Sequence, residues 1–155
     1  MPLLNTKNLG TISWEPGSEI EFPRGLPGFE QLRRFVAVHF CHTDPLIFLQ
    51  SLEDAALCFI TLPVRAVDAD YRVAVSNEDL RLVGLRAGRQ PHIGKEIHCL
   101  AVLSLRKAGA TANLLAPVVI NLKNLKAVQA VAQAGGYSHQ HVLPAEEEAL
   151  AAACS

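Results

Sequence analysis

Histidines come nearest to a metal-binding pattern in this chain. His139 and His141 are two residues apart, and on a β-strand such residues point to the same face. They could chelate a metal together, but a site needs a third or fourth ligand, and no obvious one follows from the sequence. His39 and His42 flank Cys41 without completing a ligand set. We therefore expect exposed or hydrogen-bonded histidines, with no metal site and no cofactor.

The residues that could act in covalent or acid–base catalysis form no recognisable arrangement. Ser51 and Ser104 lie in apolar runs without a local partner, and no G-x-S-x-G elbow is present. A Cys–His pair could still form from residues distant in sequence. The pairs Glu53-Asp54 and Asp68/Asp70 are close in sequence, but each is typical of a turn or a strand end. We therefore predict a protein that is not an enzyme.

The segment Gly25-Leu26-Pro27-Gly28-Phe29-Glu30 has too few glycines for a dinucleotide fingerprint. Pro27 also removes a backbone donor that a phosphate cradle would need. The same residues predict a rigid loop, because Pro23 and Pro27 fix φ while Gly25 and Gly28 permit positive φ. Pro27-Gly28 suits the central positions of a type II turn.

This loop would hold Leu26 and Phe29 at fixed angles. Two interpretations stay open at this point. The side chains could plug the open end of a β-barrel, or they could face a protein partner. One of them could also serve the core while its neighbours meet the partner.

Composition excludes several classes of protein. The chain has 155 residues and a net charge of −1, with 14 basic and 15 acidic residues, so no basic stripe for nucleic acid is visible. No apolar run approaches the roughly 20 residues of a membrane span. The first ten residues lack the apolar core of a signal peptide. The four cysteines are far apart. We therefore expect a cytoplasmic protein with reduced cysteines, buried where they lie in apolar runs.

Hydrophobic patterning predicts mostly short strands. Alternation around Ile12/Trp14 and Ile20/Phe22, on either side of Pro16-Gly17, predicts a β-hairpin. Ser76 predicts the cap of a helix of one or two turns that ends near Leu85. The remaining predicted strands are Phe35 to Phe40, Leu46 to Leu52, Leu57 to Leu62, Tyr71 to Val75, Ile97 to Leu105, Ala112 to Leu115 and Val118 to Leu122.

These elements predict an all-β fold with minor short helices, arranged as a small antiparallel β-barrel-like single domain. The segment Leu125 to Ala134 is compatible with strand or helix. We place the domain at residues 1–144. Residues 145–155 are then a C-terminal tail that is disordered or forms a short helix.

Four segments in order resemble the FliW family of flagellar assembly factors. Their positions are Ile20 to Glu30, Pro45 to Asp54, Thr111 to Asn121 and Tyr137 to Leu143. The resemblance extends over about Leu9 to Leu143. The sequence departs from the family where Leu62-Pro63 replaces an aspartate–proline pair and where Val142 replaces a proline.

The resemblance implies a compact barrel-like protein without cofactor that binds flagellin and the translational regulator CsrA. Occupying CsrA would relieve repression of flagellin mRNA, without direct contact to nucleic acid or membrane. Acidic groups such as Glu53 and Asp54 could repel RNA phosphates from CsrA. The partner-binding residues expected on this basis are Leu26, Pro27, Phe29, Glu30, Glu53, Asp54, Asp68, Asp70, Asn113 and Asn121.

A second interpretation is a small β-barrel that binds a small ligand in its interior. It requires an apolar pocket with convergent polar groups. The polar residues that would have to line such a pocket are Asn113, Asn121, His139 and His141.

Overall fold

The structure is a computed structural model that describes residues 1–107, 109–131 and 136–143. Short β-strands dominate this part of the chain, with two short α-helices between them. The strands are Leu3–Thr6 (β1), Gly10–Ser13 (β2), Ile20–Glu21 (β3), Arg34–Val38 (β4), Ile47–Ser51 (β5), Cys58–Pro63 (β6), Ile97–Arg106 (β7), Gly109–Ala112 (β8), Val118–Asn121 (β9), Ala127–Gln129 (β10) and His141–Val142 (β11). The helices are Val64–Val67 (α1) and Asn77–Leu82 (α2).

One antiparallel sheet carries the fold, in the order β10-β9-β7-β6-β5-β4-β3. The far end of β7 pairs with β8, which pairs with β11. The two edges of the main sheet meet at one point, where the Glu21 amide donates to the Leu125 carbonyl at 3.0 Å and Glu21 forms an isolated bridge with Lys126. The all-β prediction is confirmed. The word barrel applies loosely, because a single bridge and not a full strand ladder joins the edges.

Strand alternation divides the apolar side chains between the two faces of the curled sheet. We call the cluster on the inner face the inner core, because side chains from strands all around the sheet contact one another there. It consists of Ile20, Phe22, Leu26, Phe35, Leu49, Leu100, Val118, Ile120 and Ala127. The outer face carries a second cluster that includes Phe48, Leu62, Ile97 and Val119, covered by the segment that contains α1 and α2.

The longest strand is β7, which pairs with β6, β8 and β9. Its alternate residues Leu100 and Cys99 enter the inner and the outer core respectively. A strand with both faces covered has a nearly continuous apolar sequence, as Ile97 to Leu105 does. The prediction of a central strand here is confirmed, as are the strands β4, β5, β6 and β9 within one or two residues.

The predicted hairpin around Pro16-Gly17 is wrong. Instead, β2 pairs with β1, and β3 pairs with β4. Residues Pro16–Ser18 form a 3₁₀ turn, in which the Ser18 amide donates to the Glu15 carbonyl at 2.9 Å. This turn redirects the chain without folding β3 back along β2. Alternation indicates that a segment is a strand, but it does not choose the partner strand.

The predicted strand from Tyr71 to Val75 is also wrong, because these residues are irregular. The Tyr71 hydroxyl donates to the Leu114 carbonyl at 2.7 Å, and its ring stacks on Tyr137 at 4.3 Å. The Gln90 side chain takes the place of a strand partner, since it accepts from the Val75 amide at 2.7 Å and donates to the Val75 carbonyl at 3.0 Å. A side chain therefore satisfies this backbone.

The cap of α2 is confirmed, because the Ser76 hydroxyl accepts a hydrogen bond from the Asp79 amide at 3.1 Å. The helix ends at Leu82, three residues before the predicted end. Gly84 then adopts φ +79°, a conformation that ends a helix readily.

Within the ambiguous segment from Leu125 to Ala134, residues Ala127–Gln129 form β10. Residues 132–134 of that segment lie outside the described residues. So do the predicted tail at 145–155 and Cys154, and the domain boundary at residue 144 stays a prediction. Cys99 is buried as expected, whereas Cys41 is exposed, because it lies in a 3₁₀ turn and not in a strand.

Candidate partner-binding surface

The loop between β3 and β4 contains the turn that its sequence predicted. The Phe29 amide donates to the Leu26 carbonyl at 2.7 Å, so Pro27-Gly28 occupies the two central positions. Gly28 has φ +85°, as the third position of a type II turn requires. Pro27, Gly28 and Glu30 are exposed at the tip. The turn therefore presents these residues in one fixed conformation.

Gly25 is required by a close approach of two backbones. It adopts φ +66°, and a Cβ atom placed there would lie 2.6 Å from the carbonyl oxygen and the Cα of Glu30. Its amide donates to the Phe22 carbonyl at 2.8 Å. The loop thus folds back on itself at its base, and only glycine fits.

Leu26 and Phe29 serve the core. Leu26 is 4% exposed and belongs to the inner core. Phe29 is half-buried and packs edge-to-face on Phe59, with 5.7 Å between ring centroids. Phe59 in turn lies 6.1 Å from Phe35. The two side chains seal one end of the inner core, so only Pro27 and Glu30 of this loop remain available to a partner.

Glu53 supports this end of the molecule from a neighbouring turn. Its Oε1 accepts hydrogen bonds from the amides of Arg33 and Arg34 at 2.7 and 2.8 Å. These bonds to the ionised carboxylate hold the pKa of Glu53 below its ordinary value. The Ser51 hydroxyl accepts from the Glu53 amide at 3.1 Å and orders the turn. Glu53 is therefore a structural acceptor in the folded chain.

The other acidic candidates also make local bonds. Asp54 accepts from the Ala56 amide at 3.0 Å, and Asp68 accepts from the Asp70 amide at 2.9 Å. Glu30 accepts from the Gly28 amide at 3.1 Å. Each bond is an Asx-type or similar turn contact. None of the contacts in the described ranges joins Asp68 or Asp70 to the loop that carries Glu30.

The two asparagine candidates organise turns elsewhere. The Asn113 Oδ1 accepts from the amides of Leu115 and Ala116 at 3.1 and 2.9 Å. Asn121 is buried, and its Nδ2 donates to the Val83 carbonyl at 2.8 Å. Asparagine with its amide used in this way is a poor candidate for partner contact.

Sequence reasoning missed Arg24, which flanks the loop. Its guanidinium forms ion pairs with Glu78 at 2.8 Å and Asp79 at 3.0 Å in the first turn of α2. A depression of about 240 Å³ lies beside it, lined by Arg24, Gly25, Pro27, Glu30, Val128 and Gln129. The acidic residues after the Ser76 cap were the available signal, since they complement a helix N-terminus and attract a cation.

The opposite end of the inner core is open. We call this opening the mouth, a cavity of about 350 Å³. Its lining residues are Ser18, Ile20, Ala37, His39, Ile47, His98, Leu100, Ile120, Leu122 and Leu125. The His39 Nε2 lies 2.8 Å from the Asp44 Oδ1. Its walls are apolar, and the two histidines lie at its rim.

The polar residues named for an interior ligand site do not meet at the mouth. His139 is exposed, and His141 lies in β11 opposite Ala112. Between the ends, the inner core is filled by side chains such as Phe22, Phe35 and Leu49, each 0% exposed. Within the described ranges, no group of three or more His, Cys, Asp or Glu side chains could hold a metal ion.

The fold and this surface define a small antiparallel β protein with a rigid loop at the sealed end of its core. No helix in the described part of the chain is long and apolar enough to cross a membrane. The model of the family described as FliW protein matches residues 3–143. The chain belongs to the FliW family of flagellar assembly factors.

Individual relatives agree with this assignment. The flagellar assembly factor FliW of Thermosipho africanus is 32% identical over 139 residues, which cover 90% of this chain and 93% of the relative. That of Thermotoga maritima is 34% identical over 141 residues, covering 90% and 92%. A crystal structure of the flagellar assembly factor FliW superposes with a TM-score of 0.79 at 25% identity, covering 94% of this chain and 99% of the other.

Proposed function

We propose that this flagellar assembly factor is a cytoplasmic binding protein and not an enzyme, that it binds flagellin and CsrA, and that its binding to CsrA relieves repression of flagellin mRNA translation. The observation that carries the proposal is the loop tip. Pro27, Gly28 and Glu30 are exposed on a turn whose base is held by Gly25 and whose flanking side chains are packed on the core.

A turn of this kind suits recognition of a protein. Binding orders loops and side chains at a cost in conformational entropy, and a preorganised surface avoids most of that cost. The loop is already held by the Leu26–Phe29 turn and by packing on Phe59. The adjacent depression, which includes Arg24 and Gln129, enlarges the surface beyond the tip.

Charge supports a basic partner such as CsrA. Glu30 and Asp54 are exposed, and each uses one carboxylate oxygen for a local backbone bond. The second oxygen of each makes no hydrogen bond among the described residues. Such groups change orientation and encounter rate more than affinity. Glu53 contributes by shaping the surface, because its Oε1 is occupied by two backbone amides.

Direct binding measurements test the proposal. Purified flagellin and purified CsrA are each titrated into the wild type and into a Pro27→Ala/Glu30→Gln variant. We expect the double substitution to weaken at least one partner several-fold while the fold is retained. Glu15→Gln, an exposed change at the 3₁₀ turn, is the matched control. Absence of micromolar binding of either protein by the wild type would contradict the proposal.

Displacement of RNA is a separate step and needs its own test. Repulsion of RNA phosphates by exposed carboxylates predicts that Glu30→Gln/Asp54→Asn weakens displacement of RNA from CsrA more than it weakens CsrA binding. Glu53 is unsuitable here, because its substitution also disturbs the Arg33–Arg34 backbone. An equal loss of both properties would show that the carboxylates serve only to bind.

A further inference from the structure

The β4 strand has a free edge near the mouth. β3 pairs with β4 over two residues only, Ile20 opposite Phe35 and Glu21 opposite Arg34. β4 continues to Val38, beyond the point where β3 begins. The 3₁₀ turn at Pro16–Ser18 carries the preceding chain away. From Ala37 onward, no strand of the described chain pairs with this side of β4.

Hydrogen-bond alternation shows which backbone groups face the free side. The Leu52 amide donates to the Arg34 carbonyl at 2.9 Å, so residues 34, 36 and 38 direct their backbone groups toward β5. The Phe22 amide donates to the Arg33 carbonyl at 2.7 Å, so odd-numbered residues face the β3 side. The amides and carbonyls of Ala37 and His39 therefore point to the side that lacks a strand.

Two cavities flank this edge. A groove of about 390 Å³ lies between β2 and β4, lined by residues that include Ile12, Trp14 and Val38. The mouth lies on the other side of the edge, and the two cavities share Ser18, Ala37 and His39. A strand placed beside Ala37 would direct alternate side chains toward the mouth and away from it, because facing residues on paired strands point to the same face.

We propose that this edge, Ala37 to His39, binds an extended segment of a partner protein by β-strand addition, with one apolar side chain of that segment seated in the mouth. Unpaired backbone donors and acceptors in a row are complementary to another extended backbone. The apolar walls formed by Ile20, Ile47 and Ile120 select the side chain. This site lies at the opposite end of the inner core from the loop tip, so it goes beyond the proposed function.

Amide hydrogen exchange in the free protein is the first test. The amides of Ala37 and His39 should exchange rapidly, whereas those of Val36 and Val38, which face β5, should be protected. Protection of Ala37 and His39 in the free monomer would overturn the proposal. Protection that appears only as protein concentration rises would also overturn it, because a second copy of the chain would then occupy the edge.

A synthetic peptide is the second test. The probe is a blocked peptide in which Val and Leu alternate with Thr and Lys, and its control carries N-methyl groups on alternate amides. The unmodified peptide should slow exchange at Ala37 and His39 and shift the signals of mouth residues, and the N-methylated peptide should not. Equal binding of both peptides, no response at Ala37, or a response confined to Arg24–Glu30 would overturn the proposal.

Two substitutions at one position separate the backbone from the cavity. Ala37→Pro removes the outward amide while sparing the bonds to β5, and proline is tolerated on edge strands. It should weaken the peptide about tenfold, as expected for an unmatched hydrogen bond. Ala37→Phe keeps the amide but fills the mouth, and it should weaken the peptide similarly. Leu105→Ala, at an exposed site on β7, is the control and should leave binding unchanged. Unchanged binding in both Ala37 variants would overturn the proposal. If Ala37→Pro does not fold, the N-methylated peptide with the wild type supplies the backbone test.

Discussion

The two ends of the inner core are built from the same strands but finish differently. At the sealed end, the chain between β3 and β4 folds back, and Leu26 and Phe29 cover the core. At the mouth, the chain before β3 turns away at Pro16–Ser18, and the cavity lined by Ile47 and Ile120 stays open. Whether a barrel end is closed therefore depends on the connecting segment, since the strand ladder is common to both.

The contrast also separates two kinds of surface. The sealed end presents a rigid turn whose exposed residues are Pro27, Gly28 and Glu30. The mouth presents a strand edge with an apolar cavity beside it. A rigid turn suits recognition by side chains, and a free edge suits recognition by backbone. The predictions below test how far the two ends differ.

Truncation of the side chain that seals the core should have the largest effect. Leu26→Ala removes a 4% exposed side chain and should lower the free energy of unfolding by about 2–5 kcal/mol. Leu122→Ala, at the half-buried wall of the mouth, should lower it by less than about 1 kcal/mol, because less surface leaves water-free contact. Urea denaturation measures both. Equal losses would show that the mouth carries as much packing energy as the sealed end.

The two glycines of the loop should differ. Gly28→Ala places a Cβ in open space at φ +85°, so the cost is the backbone penalty of about 1–2 kcal/mol. Gly25→Ala adds a contact 2.6 Å from the backbone of Glu30, and we expect a loss of about 3 kcal/mol. Thermal or urea denaturation of the pair measures the difference. If both variants lose the same amount, the close approach at Gly25 does not constrain the loop.

The carboxylate of Glu53 should make the stability of the sealed end depend on pH. Its pKa is lowered in the folded protein by bonds from the Arg33 and Arg34 amides. Its contribution is therefore present above the unfolded pKa and is lost as pH falls through the folded pKa. Glu53→Gln keeps an acceptor and removes the charge, so it should cost about 1 kcal/mol at neutral pH at this solvent-screened site.

The difference between wild type and Glu53→Gln should shrink as pH drops below 4.5, the ordinary value for this group. Urea denaturation across a pH series measures it. A difference that is constant with pH would mean that the side-chain shape, and not its charge, holds the Arg33–Arg34 backbone.

Substitution at the rim of the mouth should have the smallest effect on stability. His98 is exposed and makes no hydrogen bond within the described ranges. His98→Leu should change the free energy of unfolding by no more than about 0.5 kcal/mol, as is usual for surface sites. A loss several times larger would show that the rim is part of the structural core, and the contrast between the two ends would fail.

Local patterns predicted the elements whose structure depends on nearby residues. Pro27-Gly28 indicated a type II turn, and Ser76 indicated a helix cap, because a proline ring, a glycine and a hydroxyl act within a few residues. The long apolar run at Ile97 to Leu105 indicated a strand covered on both faces. These features need no knowledge of the rest of the chain.

Predictions that depended on partners in space did less well. Alternation around Pro16-Gly17 could not show that β2 pairs with β1, and the alternation at Tyr71 to Val75 could not show that Gln90 satisfies that backbone. Glu53 had the charge of a partner-binding residue. Its bonds to the amides of Arg33 and Arg34 became visible only when β4 and the turn after β5 were placed together.

The sequence by itself therefore determined the all-β class, the rigid loop and, through four ordered segments, the resemblance to the FliW family. The tertiary structure alone decided that Leu26 and Phe29 seal the core, that most acidic candidates hold turns, and that β4 keeps a free edge beside an open mouth. The physical reason is range. Turn and cap preferences act over a few residues, whereas burial and strand pairing depend on segments far apart in the chain.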